Sequence, residues 1–368
     1  MTTAFIWDEC FGHAHDIGYQ SFTFTETSIP SDVEFENPRR LQLAYDIFRH
    51  TKLLNKMSQY QVLKAEMADL LRVHSEEMIN KVIRASRQND IIEVGESALA
   101  GPGSFESAQH SAGGAMKAVE VLFTEADIEQ SYAFIRPPGH HAGKDQSMGF
   151  CLFNNVAVAA EYSRKQYGTE KILIIDWDVH HGNGTQEIYY EDPNTCFISI
   201  HQEHNYPTTG GDTSETGAGH GKGYNVNIPL PPGCNDRAYC TVLEEIVSPI
   251  ARSFQPELIL LSAGQDANLY DPLGRMMVTR AGYRKMAQWL QQLASNVCNN
   301  KLAVIQEGGY SLPYAPIATL GLAEGLLNYT SPITFAIEEG KPSNHFSPPI
   351  DGIIQNVQAM FPHLFGLR

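Results

Sequence analysis

Between residues 176 and 183 the chain reads Asp-Trp-Asp-Val-His-His-Gly-Asn. In extended backbone alternate side chains point the same way, so Asp176, Asp178 and His180 emerge on one face. Three such groups have little structural use at the end of an apolar strand. As metal ligands they are well matched. Carboxylate and imidazole suit zinc, and a third protein ligand from another strand leaves a fourth position open for water. Asp266, in Ser262-Ala-Gly-Gln-Asp266, is the natural third ligand beside Asp178 and His180. Zinc held this way lowers the pKa of a bound water to about 7.

Other reactive side chains stand in similar places. His140 and His141 follow Pro137-Pro138-Gly139, and Tyr310 follows Glu307-Gly308-Gly309. Taken singly, each has a bland reading: a satisfied structural imidazole, an aspartate capping the next helix, a packed tyrosine, a glycine turn. Together they follow four separate strand-like runs. Ligands of open α/β sheets bind outside the carboxyl ends of the strands, so two histidine pairs, three aspartates and a tyrosine converge on one rim.

The elements that must position them alternate in type. Strand-like runs fall at Ala4–Asp8, Tyr132–Arg136, Lys171–Asp178, Cys196–His201, Tyr224–Leu230, Leu258–Ser262 and Leu302–Gln306. Helical patterns cover 39–56, 65–73, 75–87, 108–124, 153–167, 236–253, 280–297 and 315–327. Runs such as Ile172-Leu-Ile-Ile are apolar on both parities, as strands inside a covered parallel sheet are. The pattern predicts one α/β domain over 1–368, with a mainly parallel central sheet flanked by helices on both faces. Residues 200–223 read as a long irregular loop that shapes a pocket.

With 26 Lys+Arg against 42 Asp+Glu the net charge is −16, which disfavours nucleic acid and anionic membrane and attracts cationic ligands. No run approaches the roughly 18 apolar residues of a membrane span, and the N-terminus lacks a basic leader, so a cytoplasmic location is expected. Six cysteines without a CxxC pair read as reduced thiols.

Five segments resemble the zinc-dependent histone deacetylase family, nearest its class II branch and the bacterial histone-deacetylase-like amidohydrolases. They are Arg136-Pro-Pro-Gly-His-His-Ala, Met148-Gly-Phe-Cys-Leu-Phe-Asn-Asn155, Asp176-Trp-Asp-Val-His-His-Gly-Asn-Gly-Thr-Gln186, Ser262-Ala-Gly-Gln-Asp266 and Glu307-Gly-Gly-Tyr310. The likeness runs from about Asn37 to Tyr310. It implies an arginase/deacetylase-like fold and hydrolysis of the amide of acyl-lysine or a small acylated amine, releasing acetate and free amine.

One Zn²⁺ per chain is implied on Asp178, His180 and Asp266. A structural K⁺ or Na⁺ is implied at Asp176, Asp178, His180, Ser199 and Ile200. His140 held by Asp176, His141 partnered by Asn183, and Tyr310 match the family's catalytic groups. Gly149, Phe150 and Tyr206 match its acyl-lysine tunnel, and Arg40 its internal acetate-exit cavity. Bacterial relatives further imply a homodimer or tetramer.

Departures from the pattern carry expectations of their own. Asn183 replaces a class I aspartate, which leaves His141 less basic. Gln265 stands where Phe is usual, which predicts a changed pocket wall. Tyr206 adds a hydroxyl to a usual Phe. Leu273 sits where polyamine-selective relatives carry Glu, which favours acyl-lysine. Acetylpolyamine hydrolysis, a two-manganese ureohydrolase and a non-catalytic acyl-lysine binder are the alternatives.

Overall fold

The computed structural model describes residues 2–17, 22–24, 27–29, 35–62, 64–338 and 347–366. Eight strands form the central sheet: β1 (Thr2–Ile6), β2 (Met57–Tyr60), β3 (Ile128–Ala133), β4 (Ile172–Asp176), β5 (Thr195–Gln202), β6 (Asn225–Leu230), β7 (Leu258–Ala263) and β8 (Leu302–Gln306). Their order is β6-β5-β4-β7-β8-β3-β1-β2, and every pairing is parallel. The central strands β4, β7 and β8 are buried at every position, which is why their sequences are apolar on both parities.

Helices cover both faces. On one lie α1 (Ser104–Thr124), α2 (Asn155–Tyr167) and α3 (Asn183–Tyr189). The other carries Arg39–His50, the helical run 236–254, Arg280–Val297, Ala315–Leu326 and Asp351–Met360. No helix among the described residues is long and apolar enough to cross a membrane.

Several expected boundaries move. The strand expected at Tyr132–Arg136 is β3 and begins at Ile128. Its Gln130 is buried and donates to Thr3 Oγ1 at 2.9 Å, so a satisfied amide disguised the strand's start. Phe134 still bonds to the Ile6 carbonyl before the chain leaves the sheet. The run expected at Lys171–Asp178 ends at Asp176, so Asp178 and His180 do not sit on a strand. Side-chain-to-backbone bonds continue the alternation instead: Asp178 N donates to Asp176 Oδ1 and His180 N to Asp178 Oδ1, each at 3.0 Å. The helix expected at 39–56 breaks at Thr51, passes a left-handed Lys52, makes one 3₁₀ turn and feeds the edge strand β2. That expected at 65–73 shrinks to one turn, Met67–Leu70.

Other elements were not expected. One is a small sheet of Ile92–Glu96, Ala98–Ala100 and Ser147–Met148, and another the helix Asp351–Met360. Of the tail 331–368, residues 339–346 and 367–368 lie outside the described residues. Ile350, Ile354, Val357, Phe361 and Leu364 are buried against the core. Residues 203–223 form the irregular loop, broken by a single turn at Gly219–Gly221.

Candidate active site

The register of the sheet sets the rim. Ser199 of β5 and Ser262 of β7 both pair with Asp176 at the end of β4. Chain leaving β3, β4, β7 and β8 therefore delivers His140–His141, Asp176–Asn183, Asp266 and Glu307–Tyr310 to one place. Asn154 braces this loop cluster. Its side chain caps α2 by accepting from Ala157 N at 3.0 Å, while its amide donates to Ala142 O and Thr185 Oγ1.

Asp178, His180 and Asp266 are buried, with one ligand atom from each within 4.8 Å of the others. His180 Nδ1 lies 2.9 Å from Asp178 Oδ1 and 3.2 Å from Asp266 Oδ2. Burial opposes charge on His180, yet the two carboxylates raise it to about 10. Burial and the neighbouring Asp178 push Asp266 up to about 8. Burial also works against ionised Asp178, but His140 and His180 outweigh it and hold that carboxyl well below its usual range.

The field at this point therefore calls for positive charge. Asp266 Oδ2 is sealed from solvent and, apart from the ion-pair approach of His180, meets no hydrogen-bond donor among the described residues, so a cation would satisfy it. Gly308 permits the crowding: a Cβ there would collide with Asp266 Oδ2 and lie 2.7 Å from Asp178 Oδ2. The donor set and its buried, uncompensated oxygen fit a zinc ion with three protein ligands.

Beside the triad the two histidines take opposite characters. His140 Nδ1 meets Asp176 Oδ2 at 2.9 Å. Burial opposes its charge, but Asp178 and Asp176 push it well above its ordinary value. His141 Nδ1 donates to Asn183 Oδ1 at 2.7 Å. Burial first, then His140 and His180, hold it well below the ordinary value. The surroundings thus favour the charged form of the first imidazole and the neutral form of the second, whose Nδ1–H···Oδ1 bond to Asn183 leaves the lone pair on Nε2.

A cavity of about 210 Å³ opens onto these groups, lined by His141, His180 and Tyr310. All four expected tunnel residues, Gly149, Phe150, Tyr206 and Leu273, line it, joined by Phe35, Ser97 and Asn205. Gly149 sits at φ +52°, and a Cβ on it would lie 2.5 Å from the His141 ring and 2.8 Å from that of Tyr206. Tyr310 stacks edge-on against Phe150 at 5.5 Å, with Arg40 5.5 Å above its ring. Of the residues expected around a monovalent cation, Asp176 at the end of β4 pairs with Ser199 of β5, Ile200 follows it and is buried, and Asp178 and His180 lie just beyond β4.

Residues 34–324 match the histone deacetylase domain. The chain belongs to the histone deacetylase family. It is 39% identical over 296 residues to a probable deacetylase of Archaeoglobus fulgidus, covering 79% of this chain and 81% of the relative. It is also 39% identical over 299 residues to a histone deacetylase-like amidohydrolase of Pseudomonas aeruginosa, covering 81% and 77%. The crystal structure of the HDA15 HD domain superposes with a TM-score of 0.83 at 32% identity, over 99% of this chain and 96% of that one. The fold is thus the arginase/deacetylase fold of this family, and the chain is a hydrolase of the deacetylase/amidohydrolase kind.

Two features of this deacetylase differ from the expectation or were missing from it. Gln265 does not form the pocket wall. It is buried, with Nε2 donating to Ala263 O and Oε1 accepting from Gln306 Nε2 and Thr319 Oγ1 at 2.7 and 2.9 Å. These partners turn it away from the cavity.

Behind the site lies an unforeseen ion network. Glu36 accepts from Arg40 and Arg136, and Arg40 Nη1 donates to Glu307 O at 3.0 Å. The Glu307 carboxylate accepts from Gly139 N and His140 N, fixing the backbone under the histidines. Burial pushes it up to about 7. Glu307 heads the Glu307-Gly-Gly-Tyr310 segment, where nothing local marks its role. Glu36 lies 100 residues from Arg136, and no local pattern links them.

Proposed function

We propose that this deacetylase is zinc-dependent and hydrolyses the acyl amide of acyl-lysine or a related small acylated amine. The observation that carries the reading is the buried convergence of Asp178, His180 and Asp266 at a cavity that His141 and Tyr310 also line. Zinc on those three ligands supplies Lewis acidity toward a carbonyl oxygen and acidifies water. Phe150 and Tyr206 flank the substrate's aliphatic stem. His141, neutral with Nε2 free, takes a proton from the attacking water and returns it to the leaving amine, a role typically worth about 10²–10⁴-fold in rate. Asn183 fixes its tautomer. The Tyr310 hydroxyl, kept protonated by burial and Asp178, donates to the carbonyl oxygen as that atom gains charge. Charged His140, held by Asp176, adds to the positive field around it.

Asp176, Asp178, His180, Ser199 and Ile200 hold a structural K⁺ or Na⁺ in the same reading, and residues 1–368 act as one catalytic domain. Leu273 at the cavity lining offers no charge to a polyamine, which favours acyl-lysine. The test is hydrolysis of a fluorogenic acetyl-lysine peptide, with metal content measured on the same sample. Turnover with one zinc per chain, abolished by Asp178→Ala, is expected. A zinc-loaded protein inert toward the peptide would overturn the substrate, and full turnover without zinc would overturn the mechanism.

A further inference from the structure

A second cavity, of about 510 Å³, lies beside the tunnel and shares Asn205 and Leu273 with it. These two residues form the lip between them, Asn205 Nδ2 donating to Leu273 O at 3.0 Å. Two residues beyond Leu273 stands Arg275, which lines this groove and is exposed. Its guanidinium makes no hydrogen bond or ion pair with any of the described residues. Among the described residues it is the one arginine or lysine that lines either cavity.

The backbone under it, by contrast, is fixed. Leu273 N donates to Asp271 Oδ1 at 3.0 Å, and Asp271 Oδ2 accepts from Tyr310 N at 2.8 Å. Arg275 N donates to Gln202 Oε1 at 2.7 Å, and its carbonyl accepts from Gly233 N at 2.8 Å. Between them Gly274 packs closely, since a Cβ there would lie 2.5 Å from Asp266 O. The strip 271–275 therefore carries tunnel wall and guanidinium as one piece, tied to the same backbone as Asp266 and Tyr310. A guanidinium with a fixed root loses less freedom on binding, and its planar fork matches a carboxylate.

The charge balance gives this cation its use. At a net charge of −16 the mean field repels an anionic substrate, and a local arginine offsets that repulsion. Glu203 lines the same groove, but no ion pair joins it to Arg275. We propose that Arg275 is a specificity residue that binds a carboxylate carried by the substrate just outside the tunnel. The inference rests on the deacylase reading above. The carboxylate has two chemical sources: an acidic residue next to an acyl-lysine in a peptide, or the α-carboxylate of a free acylated amino acid.

The experiment measures kcat/KM of the zinc-loaded enzyme for two pairs of substrates. One pair is an acetyl-lysine peptide with Glu or Gln beside the acetyl-lysine, and the other is Nα,Nε-diacetyl-lysine and its α-amide. Within each pair the members differ by one negative charge. Wild type should favour the charged member of at least one pair by about three- to fivefold at low ionic strength, through KM rather than kcat, and the preference should fade as salt rises. Arg275→Gln should bring that ratio to unity or below, and Arg275→Lys should keep part of it. Glu203→Gln, which removes the competing anion, should raise it. A wild type that treats both pairs alike or prefers their uncharged members, or an Arg275→Gln enzyme with the wild-type ratio, overturns the proposal alone. Turnover of none of the four substrates overturns the deacylase reading, and the proposal falls with it. If the proposal stands, the pair with the larger ratio names the source of the carboxylate.

Discussion

Glu36→Gln removes one charge from the network behind the site and leaves its volume nearly unchanged. The carboxylate is fully buried and accepts from Arg40 Nε and Nη2 at 3.1 and 2.9 Å, and from Arg136 Nε and Nη2 at 2.8 Å each. A glutamine keeps one acceptor and turns the other oxygen into a donor aimed at a guanidinium. Two buried cations are then left with neutral partners. Removing one partner of a buried pair typically costs about 3–5 kcal/mol, a large part of the roughly 5–15 kcal/mol that holds a folded domain together.

Arg40 also holds Glu307 O and covers the Tyr310 ring, so activity should fall along with stability. The assay is urea denaturation of both proteins at pH 7, reading the shift in midpoint at a constant slope. The pH dependence has a definite sign. Burial would raise the Glu36 carboxyl, but Arg136 and Arg40 overcome it and hold it below its ordinary 4.5. A depressed carboxyl contributes its stability above the unfolded value and loses it as pH falls through the folded one. The gap between wild type and variant should therefore shrink below about pH 4.5. A loss under about 1 kcal/mol at pH 7, or a gap that grows on acidification, would refute the reasoning.

Two substitutions at the site isolate single roles. Asn183→Asp places a negative charge against His141 Nδ1, now 2.7 Å from a neutral oxygen. It should raise the His141 pKa, moving the acid limb of the kcat/KM profile up by roughly 1–3 pH units, and an unmoved or lowered limb would count against His141 as the base. Tyr310→Phe keeps the ring contacts to Phe150 and Arg40 while deleting the donor. It should lower kcat by about 10²–10³ with KM and thermal stability little changed, and a kcat within threefold of wild type would remove Tyr310 from the mechanism.

Buried parallel strands are legible because their sequences carry no polar face to confuse the reading, as in Ile172–Asp176 and Leu258–Ala263. Where a strand is short, at an edge, or carries a satisfied polar side chain, that signal fades. Met57–Tyr60 has exposed and half-exposed positions, and Ile128–Ala133 hides Gln130. The site was legible for a different reason: its groups follow strand ends, and a parallel sheet brings those ends together whatever the loops do. Asp178 and His180 thus arrive as expected although they lie beyond the strand, the alternation surviving through side-chain bonds to the backbone. Contacts made across long sequence separations left no trace. Glu36 with Arg136, and Gln265 with Thr319, are pairings that only the folded chain creates.

The charge balance of the triad yields a last prediction, which concerns metal and pH together. With no metal bound, burial and Asp178 raise Asp266 from 3.8 to about 8, and the carboxylates raise His180 from 6.5 to about 10 against the effect of burial. Groups whose folded values are raised keep protons that the unfolded chain releases. Their stability is complete below the unfolded values and drains away as pH climbs through the folded ones. Metal-free protein should therefore weaken at this site as pH rises from about 4 toward 10.

A metal ion replaces those protons and requires the ligands to be deprotonated, so it binds more tightly as pH rises. Binding adds stability in proportion to the logarithm of that affinity. The difference in melting temperature between zinc-loaded and chelator-treated protein should then widen from pH 6 to pH 8. Asp266→Ala, which removes one raised carboxyl and one ligand, should flatten the difference at both values. A difference that narrows with pH, or one that the substitution leaves intact, would mean that the cation these side chains call for is held somewhere else.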